Sequence, residues 1–173
     1  MSVLYHASPR QGLHVLKPYG VSKRDPDDPP RVYAARKEVV ASMFMMRDMN
    51  DDWSKKGSWD RGKTWWAIIG DENRFRYIEK EGGSIYSVSE EGFFHDLIGL
   101  GRNELYIMSD VQVVKEEQWE SALDAMLHYG VNVLFVSKQV FLEIRRPDDQ
   151  WALIEKAERK ADGTFAISAP ISC

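Results

Sequence analysis

Apolar positions along the 173-residue chain recur in short runs, most of them too brief for a long amphipathic helix and separated by turn-forming residues. Residues 3–6 form a short β-prone run that Ala7, Ser8 and Pro9 break, which predicts a first strand ending near His6. Leu13, Val15 and Leu16 make the next apolar group, stopped by Pro18 and Gly20. Residues 23–30 carry charge and prolines but no apolar face, and are expected to be an exposed, mobile loop. A short buried strand is predicted over 31–35. From Lys37 to about Asp48, Val39, Val40, Met43, Phe44 and Arg47 recur at helical spacing.

Residues 50–63 read as a second polar loop, built around Trp53 and Trp59; such a loop suits a lid or a partner surface, although Trp is more often buried. Three strands are predicted at 64–70, 75–79 and 84–89, with turns at 70–73 and at Gly82-Gly83. A loop or short helix follows around 92–97, then a long strand over 104–114 that bends at Ser109-Asp110. The spacing of Trp119, Leu123, Met126 and Leu127 predicts a helix over 116–129, ended by Gly130. Strands are expected at 131–136 and 140–144, and a last helix runs from Asp148 to Lys160. Short strands between helices, without regular β-α-β alternation, indicate an α+β fold in a single domain, 1–173.

Composition narrows the class of protein. The hydrophobic share of 43% is that of a globular chain, and one core suits this length. The net charge of −4 supplies no global field for nucleic acid or anionic lipid. Cys173 is the only cysteine, so no intramolecular disulfide forms and the cytoplasm is the expected compartment. No segment approaches the roughly 20 apolar residues of a membrane helix, and no membrane partner is expected.

Several chemistries lack their residues. His6, His14, His95 and His128 are scattered without metal-ligand spacing, and the acidic stretch 48–52 puts Trp53 and Trp59 where a calcium loop needs glycine and glutamate. No metal is expected. Neither a glycine-rich dinucleotide turn, a phosphate loop nor a G-x-S-x-G serine occurs.

Three residues beside strand ends or turns remain: His6 in LYHAS, Tyr33 in VYAA leading into a helix, and Glu104 in NELYI. In kind and order these motifs resemble the ADP-ribosyltransferase superfamily, in its diphtheria-toxin-like and poly-ADP-ribose-polymerase-like branch with the His-Tyr-Glu signature. The resemblance covers about 3–114, including the stretch IYSVSEEGFFHD, and leaves 115–173 as a C-terminal completion or addition. It implies a split, curved, mostly antiparallel sheet flanked by helices, holding NAD as substrate. Glu104 would be the catalytic carboxylate, with His6, Ala7 and Tyr33 binding NAD. Ala7 stands where the family has a glycine that approaches the nicotinamide amide, and its methyl group narrows that approach.

The chemistry fits these residue types. Cleaving the ribose–nicotinamide bond builds positive charge on the sugar while a neutral group leaves, so a carboxylate helps and a strong acid is not needed. A mostly neutral histidine can bind a ribose hydroxyl, and a tyrosine offers a flat face to the ring. Each residue also has an ordinary role: a satisfied histidine, a core aromatic, a solvent-facing strand glutamate. Tyr86 and Tyr106 are candidate extra walls, and Arg31, Arg36, Arg74 and Arg102 candidate contacts for pyrophosphate or acceptor. The expected reaction is ADP-ribosyl transfer to an unspecified acceptor or to water. The acidic balance disfavours a nucleic-acid acceptor without excluding it. Two alternatives are an inactive module of the same fold, binding a nucleotide or a protein, and a transferase acting on RNA 2′-phosphates.

Overall fold

The computed structural model describes residues 2–19, 29–46, 49, 52–59, 62–95 and 102–167. Most of the predicted loop at 23–30, most of the acidic stretch 48–52, and Cys173 lie outside the described residues. In chain order the elements are β1 (Val3–Ser8), β2 (Val15–Leu16), β3 (Val32–Ala35), α1 (Glu38–Ser42), β4 (Ser54–Trp59), β5 (Thr64–Ile69), α2 (Glu72–Ile78), a 3-10 turn (Glu79–Glu81), β6 (Gly83–Ser89), β7 (Glu104–Ile107), β8 (Val111–Trp119), α3 (Ala122–His128), β9 (Val131–Phe135), α4 (Lys138–Glu143), α5 (Pro147–Ile154), β10 (Ala157–Arg159) and β11 (Phe165–Ile167). The mixture of helices and strands is that of an α+β protein. Among the described residues no helix is long and apolar enough to cross a membrane.

Several elements differ from the sequence expectation. The polar loop around Trp53 contains β4, and Trp53 itself is buried. The strand expected at 75–79 is α2: the Asp71 carboxylate accepts from the Arg74 amide at 2.9 Å and starts a helix where the sequence reads as a turn. The long helix expected from 116 begins only at Ala122, because β8 runs on to Trp119 and Ser121 caps α3. Residues 140–143, read as strand, belong to α4, capped by Ser137. The last helix stops at Ile154 and gives way to β10. The expected bend at Ser109-Asp110 falls between β7 and β8.

The chain forms two compact units, residues 1–45 with 82–120 and residues 46–81 with 121–173. The first has a wholly antiparallel sheet of order β2-β8-β6-β1-β3-β7. Leu4, Leu16, Val32, Ala34, Tyr86, Val88, Leu105 and Val111 are its buried core. Strand alternation produces this face: Leu4 stands opposite Val88 in register, and Ala34 opposite Leu105. The second unit has the order β10-β11-β9-β5-β4, and here β9 pairs parallel with both β5 and β11 while the other pairs are antiparallel. Ile68, Leu134, Phe141, Ile144 and Leu153 form one of its buried clusters.

Candidate active site

Within the first unit the sheet has a weak seam. β1 matches β6 over six register pairs but meets β3 at one, Tyr5 with Ala35. Beyond that pair the two strands no longer form a ladder, and a side chain takes over. The Nδ1 of His6 lies 2.7 Å from the Tyr33 carbonyl oxygen. A carbonyl can only accept, so Nδ1 carries the proton and donates, and in the neutral ring Nε2 is left as an acceptor. Burial pushes the His6 pKa down, and the bond to Tyr33 opposes that shift without cancelling it. The neutral ring therefore dominates at neutral pH.

A pocket of about 330 Å³ opens at this seam, lined by Tyr5, His6, Ala7, Tyr33, Ala34, Ala35, Ala41, Phe44 and Glu104. All four site residues read from the sequence, His6, Ala7, Tyr33 and Glu104, line it together. The register explains how. Tyr5, Ala35 and Glu104 stand side by side on β1, β3 and β7, and Tyr33 lies two residues before Ala35, on the same face. His6 alternates to the opposite face, where it is in register with Tyr86, their ring centroids 6.4 Å apart. Consecutive residues of β1 and of β3 line the pocket, so it follows the seam and not one face of the sheet. Small side chains at Ala34, Ala35 and Ala41 leave its space.

The sequence reading missed Tyr5, Phe44 and the alanines as wall residues. Phe44, which follows α1 at helical spacing, is 47% exposed although large and apolar. A hydrogen bond to the Glu38 carboxylate holds the Tyr5 phenol above its ordinary pKa, with burial and the Glu38 charge adding to the effect. The remaining candidates lie outside the lining. Tyr86 is fully buried, its hydroxyl donating to the Arg10 carbonyl at 2.8 Å. Tyr106 packs on Phe94 at 5.9 Å and under the Arg31 guanidinium at 5.1 Å. Arg31 reaches the Tyr33 hydroxyl at 3.5 Å, and Arg36 pairs with Glu90 at 2.5 Å. Arg74 belongs to the other unit and lies 5.0 Å from the Trp53 ring centroid. Among the described residues no group of three His, Cys, Asp or Glu could hold a metal.

Comparison of the chain with protein-family models, with curated proteins and with solved structures gives no match.

Proposed function

We propose that this pocket takes the nicotinamide end of NAD and that the protein transfers ADP-ribose to an acceptor, or to water. The reading includes a cytoplasmic location and treats the seamed sheet of the first unit as the split, curved sheet of an ADP-ribosyltransferase-like fold. The observation that carries it is the convergence of His6, Ala7, Tyr33 and Glu104 on one cavity, from motifs widely separated in the chain. Its size also fits. About 330 Å³ is at the small end of ligand pockets, enough for the ring and its ribose, with the rest of the dinucleotide outside.

In this reading Tyr33 stacks on the ring and the Nε2 of His6 accepts from a ribose hydroxyl, as the tautomer set by Tyr33 requires. The interrupted ladder beside Ala7 leaves room for a carboxamide to pair with β1 in place of β3. Glu104 stabilises the positive charge that grows on the ribose as neutral nicotinamide departs. Ala7 favours a second reading, a module that binds the same ligand without turnover, because its methyl group lies in the lining where the resemblance has glycine.

The test is nicotinamide release from NAD at high protein concentration, with Glu104→Gln beside it. Release by the native chain that falls roughly a hundredfold or more in the variant is the expected result. NAD binding without release from either protein moves the non-enzymatic module ahead.

A further inference from the structure

The proposed reaction frees one proton that the leaving group does not carry away. Nicotinamide departs as a neutral, weakly basic molecule, so the hydrogen on the acceptor, or on water, must pass to the protein as the new bond to the ribose forms. Four residues of the lining carry groups that exchange protons: Tyr5, His6, Tyr33 and Glu104. In the reading above the Nε2 of His6 is taken by a ribose hydroxyl. The Tyr33 hydroxyl lies 3.5 Å from the Arg31 guanidinium, which cannot accept a proton. Tyr5 differs, because its hydroxyl donates to the Glu38 carboxylate. Glu38 opens α1, one turn before Ala41, which lines the same pocket, and α1 packs on β1.

The register places this pair opposite Glu104. Tyr5 and Glu104 share one lateral row, on β1 and β7, with Ala35 of β3 between them. Two strand spacings set their backbones roughly 10 Å apart, and the side chain in between is a methyl group. Glycosyl transfer uses such a division, with one group near the developing positive charge and another taking a proton from the nucleophile. On the reading that this pocket transfers ADP-ribose, we infer that Tyr5 and Glu38 are the proton outlet of the site. The bond from the ribose carbon to the nicotinamide nitrogen breaks, its electron pair stays on nitrogen, and the nucleophile bonds to that carbon. The proton of the nucleophile passes to the Tyr5 oxygen while the Tyr5 proton passes to Glu38, so hydrogen and charge balance. Tyr5 is the catalytic residue of the pair, and Glu38 acts through it. The bond to Glu38, with burial and the Glu38 charge, keeps the Tyr5 pKa above its ordinary value, so the phenol enters the step protonated.

The experiment follows nicotinamide release at saturating NAD by the full chain, by Tyr5→Phe and by Glu38→Gln, in water and with added azide. Azide is an anion that bonds to carbon without giving up a proton. Tyr5→Phe keeps the ring, and Glu38→Gln keeps an oxygen for the Tyr5 hydroxyl but cannot take its proton. Both variants should lose release in water by roughly a hundredfold, with circular dichroism unchanged, and azide should restore it. A loss that azide leaves in place marks the two residues as structural, and native rates in both variants assign the proton to Glu104. Either result overturns the relay. The two proposals fail separately: release by the native chain that both variants match keeps the reaction and removes the relay, whereas no release by the native chain, with or without azide, removes the reaction and the relay with it.

Discussion

The two units spend their polar side chains differently. In the second, Asp71, Ser121 and Ser137 accept from backbone amides at the starts of helices, Ser121 also meets Glu79, and Asp162 closes a turn on Thr164 while holding Arg76. Open sheets with parallel strands often bind ligands beyond the carboxyl ends of those strands. Here the Phe141 ring is pressed against Gly70, just after β5, where a Cβ would fall 2.6 Å from the Phe141 Cβ. In the first unit Glu116 is similarly occupied: one of its oxygens accepts from Ser84 Oγ at 2.6 Å and the Gly12 amide at 2.7 Å, with the Tyr86 hydroxyl 3.0 Å away. Glu104, one strand earlier, lines a cavity among alanines and aromatic rings. The ladders account for the contrast. β5 pairs with β4 and β9 along their lengths, whereas β1 and β3 share one register pair. A site opens where pairing lapses between strands that carry small side chains, and closes where a bulky ring is pressed against glycine.

Filling the closed region is the harshest way to probe that contrast. Gly70→Ala should destabilise the protein by about 1–3 kcal/mol, the usual cost of overpacking, read from the urea midpoint of the full chain. Affinity for NAD should be unchanged in the folded variant; its loss would show that the two units do not have separate roles. Glu116→Ala comes next. It strips an acceptor from the fully buried Ser84, so a loss of about 1–2 kcal/mol is expected in the same assay. Glu116→Gln keeps an oxygen in place and should lose less. Because Ser84 above all, then the Gly12 amide, holds the Glu116 pKa below its ordinary value, this contribution is present at neutral pH and disappears as pH falls through the lowered folded pKa.

Legibility in the sequence follows the same division. β1, β3, β5, β6 and β9 were readable because branched and aromatic residues are bounded by Pro, Gly or Asp. The pocket-lining residues His6, Tyr33 and Glu104 stand at motif positions beside strand ends, and no fold was needed to pick them out. Their convergence was not readable, since it depends on Tyr5, Ala35 and Glu104 sharing a lateral row, which pairing between distant strands decides. The errors cluster in short apolar runs. Phe75, Tyr77 and Ile78 suit a strand or one helical turn equally, and Asp71 decides for the helix by capping it. Ser137 does the same for Val140 and Phe141. Gly and Lys in the sequence SKKGSW conceal β4, an edge strand of its sheet, and nothing local marks β10 and β11, which depend on pairing with each other.

The smallest expected effect separates a structural carboxylate from one in a pocket by its response to acid. Asp162 accepts from the Thr164 hydroxyl at 2.6 Å and its amide at 3.0 Å, and from Arg76 at 2.7 Å. These bonds, the Thr164 hydroxyl first, lower its pKa from 3.8 to about 2. A folded pKa below the unfolded one means that the stabilisation is complete above the unfolded value and is lost as pH falls from 3.8 toward about 2. The side chain is 44% exposed, so screening reduces the contribution to about 1 kcal/mol or less. Asp162→Asn retains an oxygen for Thr164 but cannot titrate or pair with Arg76. The variant should therefore be less stable than the native chain at pH 7, with the gap closing at about pH 2, where Asp162 is about half protonated or more. A constant gap across that range would assign the difference to packing of the turn and not to the charge on Asp162.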